Sequence, residues 1–582
     1  MLAVAALGEV SFATTSLPES QLYPPMDPSR SRSSYTARGH RAMVATAHPL
    51  ASAAGIEILR AGGNVVDAAV AASFVISVVR PQSTGIGGGG FMLYHDATNK
   101  KTKVYDFRER APAAATRDMF VGPQGQSMPF RYGKVEIPDA SVNGHLAVGV
   151  PGLVDGLVAT HASHGRLPLK TVLQPAIKIA ANGFPVYPML AQRLAERATV
   201  LSKFPATKKI FFKHDQPLTT GSLLIQKDLA KTLERIATHG SKDFYYGDTA
   251  KLIVAEMKRG HGLITGADLA DYRMIERRPI EVNYAGYKIV AMPPPSSGGI
   301  TVLETLNILS ESPAANAAYG STAAVHWLAE AMRRAFADRA QLLGDPAFTK
   351  IPLKGLLSLD YAKSLRSGID PKHATNSRSL PPSVADKFEH PSTTHLVVMD
   401  SDGNAVSTTQ TVNYYFGSGV VAAGTGILLN DEMDDFAKHP GTPNVFGLVG
   451  SDANAVAAKK TPLSSMSPTL VFDGKGELRL ALGSPGGPRI ITATLQTIFN
   501  SLSRGLNLPD AVHAYRIHHQ WLPDQLEVEK GGLDTKVIQE LKSMGHSIVE
   551  HPGMGDVEAV ARQADGLVGV SDTRSDGQPM GF

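Results

Sequence analysis

Hydrophobic and polar positions change their period along the chain, and each change marks a predicted element. The apolar run Ala42 to Ala47 reads as a short strand. Pro49 to Ala61 reads as a helix and stops at Gly62-Gly63, a pair that ends helices. Asn64 stands at a cap position. The helix after it, Val65 to Val79, is apolar nearly all round, which predicts burial. Gly85 to Gly90 contain a G-x-G-x-x-G spacing. A dinucleotide site would need a strand before it and a helix after it, but here a helix precedes and the strand Phe91 to His95 follows. The glycines therefore read as positions of close backbone packing. From Val150-Pro151-Gly152 to about Leu380 the pattern is mostly helical with short breaks. Ala323 to Leu343 is a long helix whose Arg333, Arg334 and Arg339 read as a solvated or ion-paired face. Met292 to Gly299, with three prolines, is a stiff loop and a candidate lining segment. Ser377 to Glu389 is polar, aperiodic and reads as an exposed loop.

After that loop strands dominate. Leu396 to Met399 and Ala405 to Asn413 flank Asp400-Ser401-Asp402-Gly403-Asn404, and Asp-Gly tolerates the positive φ of a tight hairpin. Counting back from the turn sets Thr411 opposite Thr393 or Thr394. Thr411 and Asn413 are expected on one strand face, because side chains alternate. Further strands are expected at Gly426 to Asn430, Leu470 to Phe472 and Leu478 to Leu482, and a helix at Thr494 to Arg504. Lys438 to Ala457 is rich in Gly, Pro and Asn and reads as an inserted loop.

Composition narrows the function classes. The 582 residues exceed what one simple core usually serves, yet no linker or composition break divides them, which predicts one interleaved α/β body. The net charge is +4 with both signs interspersed, so no nucleic-acid surface is expected. No apolar run reaches the length of a membrane span. The chain has no cysteine, which excludes disulfides, thiol catalysis and Cys-based zinc. His513, His518 and His519 lack metal-ligand spacing and read as structural, so neither metal nor cofactor is expected. Met1 to Ala13 is mildly apolar and ends in Ser11-Phe12-Ala13, like the tail of a signal peptide. It lacks a basic start and is interrupted by Glu9. A truncated or weak export signal is expected, with a periplasmic or secreted product. Residues 14 to 38 read as an irregular arm.

Four further stretches carry chemistry. Val104-Tyr105-Asp106-Phe107-Arg108-Glu109 offers Arg108 as an ion-pair partner of Asp106 or Glu109. Asn430-Asp431-Glu432-Met433-Asp434-Asp435 sets a run of acids directly after an apolar strand. Glu432 and Asp435 share a face if the run is a helical turn, and could equally be helix-start charge against the dipole. Pro462-Leu463-Ser464-Ser465 and Gly483-Ser484-Pro485-Gly486-Gly487-Pro488 follow. Taken in order with the Thr393 hairpin, these motifs resemble the γ-glutamyltranspeptidases, a family of N-terminal-nucleophile hydrolases. The resemblance runs from about Ala42 to the C-terminus.

The resemblance implies a four-layer αββα sandwich and a γ-glutamyltransferase and glutathione hydrolase. It implies cleavage of the Ser392–Thr393 bond, giving a large fragment ending at 392 and a small one, 393–582, that stay together as a heterodimer. Thr393 would be the nucleophile, with Thr411 orienting it and Gly486 and Gly487 forming the oxyanion hole. Arg108, Ser464 and Ser465 would hold the substrate carboxylate; Glu432, Asp435 and Asn413 would clamp its ammonium. Phe446 would take the place of a gating lid residue that is often Tyr. Substrates would be glutathione, other γ-glutamyl compounds and amino-acid acceptors. A threonine hydroxyl needs an adjacent base, and a freed α-amino group with pKa near 8 can serve. Three rival readings stand beside this one. A same-fold glutaryl or cephalosporin acylase is opposed by the acid pair, since its substrate has no ammonium. A poly-γ-glutamate hydrolase is opposed by the lid-like loop. A non-catalytic, uncleaved binding protein is opposed by the intact set of Thr393, Thr411 and both serines.

Overall fold

The structure is a computed structural model that describes residues 15–380, 393–438, 444 and 447–582. Fourteen strands build its two large sheets among the described residues. In chain order they are β1 (Thr36–Gly39), β2 (Ala42–Thr46), β3 (Gly89–Asp96), β4 (Lys101–Phe107), β5 (Ile275–Arg277), β6 (Ile280–Tyr284) and β7 (Tyr287–Ala291). They continue as β8 (Thr394–Asp400), β9 (Ala405–Thr411), β10 (Thr469–Phe472), β11 (Leu478–Gly483), β12 (Glu558–Gln563), β13 (Gly566–Ser571) and β14 (Met580–Gly581). The first sheet runs β5-β4-β3-β9-β8-β2-β14 and the second β1-β13-β12-β11-β10-β7-β6. Neighbours within both are antiparallel.

Strand alternation explains the layering. In β8, Val397 and Met399 enter a core shared with Leu470, Ala481 and Val560 of the second sheet. Leu396 and Val398 point the other way, into a helical layer. That layer holds α1 (Pro49–Arg60), α2 (Val65–Val79), α3 (Leu153–His164) and α4 (Leu169–Asn182). On the far side, Ile289, Val471 and Leu480 of the second sheet pack against α5 (Gly298–Leu309), α6 (Thr322–Leu342) and α7 (Arg489–Leu502). The result is the four-layer αββα sandwich. Every residue of α2 is buried, and Asn64 and Asp67 close a capping box at its start.

Several expectations need correction. The stretch 150–380 is mostly helical, as expected, but its breaks include the hairpin β6–β7, which forms the edge of the second sheet. The arm before Ala42 is not wholly irregular, since β1 pairs with β13 from Thr36↔Val570 to Gly39↔Leu567. At 426–430 only Ile427–Leu428 is a strand, paired with Val421–Ala422. The helix expected from Thr494 begins at Arg489. Ser377 is buried rather than exposed; its N–H donates to Asp524 and its hydroxyl accepts from Arg333. The expected signal remnant at 1–13 and most of the expected loop before Thr393 lie outside the described residues.

Candidate active site

The hairpin β8–β9 carries the centre of the site. Its register pairs Thr394 with Gln410 and Met399 with Ala405, so the next pair outward is Thr393 with Thr411. The two hydroxyls lie 3.3 Å apart, and both residues are buried. They share the inter-sheet face with His395 and Thr409, whose side chains meet at 2.8 Å. β9 ends at Thr411, and Asn413 has φ of 76°, so strand alternation is not what brings Asn413 to the site. Its N–H instead donates to Thr411 Oγ1 at 2.8 Å, and both residues line one cavity. The glycine run packs against this end of β9. A Cβ on Gly88 would stand 1.9 Å from the Thr411 carbonyl oxygen.

The same cavity is lined by Arg108, Glu432, Asp435, Ser464, Ser465, Gly487 and Arg339. Glu432–Asp435 is a 3-10 turn, which puts the two acids on one side of it. Asn430 positions that turn. Its carboxamide accepts from Glu432 N–H at 3.0 Å and from Gly149 N–H at 2.9 Å, and donates to the carbonyls of Gly87 and Gly149 at 2.8 Å. The Arg108 guanidinium does not pair with Asp106, whose carboxylate accepts from Arg277 Nε at 2.6 Å and from the Arg108 backbone N–H at 3.0 Å. The guanidinium donates to Glu432 and Asp435, and to the carbonyls of Pro462 at 3.4 Å and Leu463 at 3.3 Å. One guanidinium thus ties the acid turn to the segment just before the double serine.

The matching family model, described as Gamma-glutamyltranspeptidase, spans residues 51–582. The chain belongs to the gamma-glutamyltranspeptidase family. This family member is 46% identical to the "Glutathione hydrolase proenzyme" of Escherichia coli (strain K12) over 542 residues, covering 92% of this chain and 91% of that one. It is 38% identical to the protein of the same name from Bacillus subtilis (strain 168), covering 94% and 92%. A Pseudomonas "Acylase ACY 1 proenzyme" is 39% identical, covering 94% of each chain. Among solved structures, a cephalosporin acylase from Bacillus halodurans superposes with a TM-score of 0.81 at 28% identity over 97% of this chain and 99% of that one. The Helicobacter pylori gamma-glutamyltranspeptidase gives 0.55 at 42% identity, over 58% of this chain and 93% of that one.

The electrostatics of this transpeptidase-family cavity follow from burial. Three carboxyls, Glu109, Glu432 and Asp435, crowd around Arg108. Burial pushes all three acids up and the guanidinium pulls them down, with Glu109 ending at about 7. Arg108 itself is held charged by the acids, despite burial.

Gly487 lines the cavity with φ of 55°, after Gly486 at 133°; both are values that favour glycine. Gly486 is not among the lining residues. The double serine is fixed from below by the stiff loop, since Ser297 N–H donates to the Ser464 carbonyl at 2.8 Å. Ser392 and Phe446 lie outside the described residues, although Asn444, beside Phe446, reaches Asp435 at 3.2 Å. Sequence reasoning missed Asn430 as a positioning residue and Arg339 as a lining one. For Asn430 the signal was an amide directly before the acid run. Arg333, Arg334 and Arg339 are all buried rather than solvated, and the expected ion pairing holds for Arg333 and Arg334, both on Glu330.

Proposed function

We propose that this protein is a γ-glutamyltransferase and glutathione hydrolase working through an ester on Thr393, after its chain is cut before that residue. The observation that carries this reading is the Thr393–Thr411 hydroxyl pair in a cavity that also holds Arg108, Glu432 and Asp435. In maturation the Thr393 hydroxyl attacks the Ser392 carbonyl carbon. The C–N bond to Thr393 breaks, its nitrogen takes up the proton lost by the hydroxyl and becomes a free amine, and water hydrolyses the resulting ester. The products are fragments 1–392 and 393–582, the first comprising an arm to residue 38 and the large body 39–392. The sheet order supports a heterodimer that stays together, because β8 and β9 lie between β2 and β3 of the large fragment.

In turnover the freed α-amino group of Thr393 takes the hydroxyl proton as Oγ1 attacks the γ-carbonyl carbon. Thr411 orients the hydroxyl. The N–H groups of Gly486 and Gly487 receive the oxyanion. The leaving amine departs with the proton, and water or an amino acid then takes the γ-glutamyl group. Glu432, Asp435 and Asn413 hold the ammonium; Arg108, Ser464 and Ser465 hold the carboxylate. The enzyme works in the periplasm or outside the cell. Among the described residues no helix is long and apolar enough to cross a membrane.

Intact-mass analysis with N-terminal sequencing tests the reading: the small fragment should begin Thr-Thr-His-Leu. Thr393→Ala should remain one chain and release no product from a γ-glutamyl anilide. A single uncut chain with full activity would overturn it. A glutaryl acylase is the second reading, favoured by the likeness to the Pseudomonas acylase. It would be preferred if the wild type cleaved a glutaryl anilide better than the γ-glutamyl one.

A further inference from the structure

Arg339 reaches the catalytic cavity from the C-terminal part of α6. Its side chain is buried, with 4% of the residue exposed. Nε donates to Ser297 Oγ at 2.9 Å and Nη2 to Ser465 Oγ at 3.2 Å. Both partners are neutral hydroxyls. Its neighbours on the same helix are provided for differently: Arg333 pairs with Glu330 and Asp524, and Arg334 with Glu330. Among the described residues Arg339 has no such ion pair. The acid that acts on it from further off, Asp435, is already engaged by Arg108. Burial lowers the Arg339 pKa only to about 10, so it stays charged at neutral pH.

A buried cation without a counter-ion is costly unless something supplies the missing charge. Arg108 is spoken for, with donors spread over Glu432, Asp435 and two carbonyls. A γ-glutamyl group brings one ammonium and one carboxylate into this cavity together. The ammonium suits the acid turn, and the carboxylate suits the side that holds Ser465 and the uncompensated guanidinium. We infer that Arg339 is a second reader of the γ-glutamyl carboxylate, standing behind Ser465 and supplying positive charge that Arg108 shares with Glu432 and Asp435. This rests on the proposed γ-glutamyl specificity and adds a specificity-determining residue to it.

The test uses the matured enzyme with two anilides, γ-glutamyl and 4-aminobutanoyl, which differ only in the carboxylate. The readout is the ratio of their kcat/KM values. Arg339→Met should lower the ratio roughly 10- to 100-fold, the worth of a hydrogen bond to a charged group. Arg339→Gln keeps a donor for the hydroxyls but no charge, and should lose the ratio equally. Arg339→Lys should recover much of it. A Met variant that stays uncut leaves the Gln and Lys pair to decide. Both substrates falling together in the Gln variant, or a Gln ratio equal to wild type, would overturn the inference and leave Arg339 a prop for Ser297 and Ser465. Wild type showing no preference for the γ-glutamyl substrate would instead defeat the underlying specificity reading.

Discussion

Arg108 and Arg339 are both buried guanidiniums lining one cavity, yet their surroundings are opposite. Arg108 stands among Glu109, Glu432 and Asp435, an excess of acid. Arg339 stands among hydroxyls. The difference teaches that a charge's role is set by what already neutralises it. Arg108 is first a structural tie, holding the acid turn to the segment before the double serine. Arg339 is a buried cation whose hydrogen-bond partners are hydroxyls, which makes it the proposed reader of the substrate carboxylate.

The largest expected effect separates the two by stability. Arg108→Met strips buried Glu432 and Asp435 of their counter-charge, at a cost of about 3–5 kcal/mol. Arg339→Met orphans no acid and should cost about 1 kcal/mol or less. Thermal unfolding of both in the uncut Thr393→Ala background compares them without interference from maturation. Equal falls in Tm would erase the distinction.

A somewhat smaller effect sharpens the acid side. Asp435→Ala removes one partner of a buried charge pair and should cost about 2–5 kcal/mol of catalysis on a γ-glutamyl anilide. Because Asp435 also anchors Arg108, a glutaryl anilide should suffer too, but less, since it brings no ammonium. Equal losses on both substrates would remove the acids from ammonium recognition.

The smallest effect is a pH dependence. Glu109 has its pKa raised to about 7, above the ordinary carboxyl range. A raised folded-state value gives stability that is complete below the ordinary range and is lost as pH rises through about 7. Deprotonation also makes the pocket more negative, so KM for the 4-aminobutanoyl anilide, which brings an ammonium and no carboxylate, should fall over the same interval. Glu109→Gln should flatten both profiles. A wild-type Tm and KM as flat as the variant's between pH 6 and pH 8, a window about one unit either side of the shifted value, would refute this.

The legible parts of the molecule were the local ones. Asn64 and Asp67 announced the cap of α2, and the Asp400–Asn404 turn fixed the hairpin register to within one residue of the observed Thr393–Thr411 pairing. The glycine run reads correctly as close packing because its flanking elements stand in the wrong order for a phosphate site. Less legible was β6–β7, an edge hairpin whose pairing partner β10 lies far along the chain. Asn413 was assigned to the right cavity for the wrong reason, because the chain leaves the strand before reaching it.

By itself, then, the sequence determined the hairpin, its turn, the helix caps, and the alternation that splits each strand between two cores. These depend on neighbours within a few positions, where residue type and period suffice. Only the tertiary structure decided the electrostatics. Arg108 finds Glu432 and Asp435 at separations of 324 and 327 residues, and Arg339 finds Ser465 at 126. Whether a buried arginine meets acids or hydroxyls depends on which distant elements the sandwich brings to the same cavity, and no local pattern encodes that.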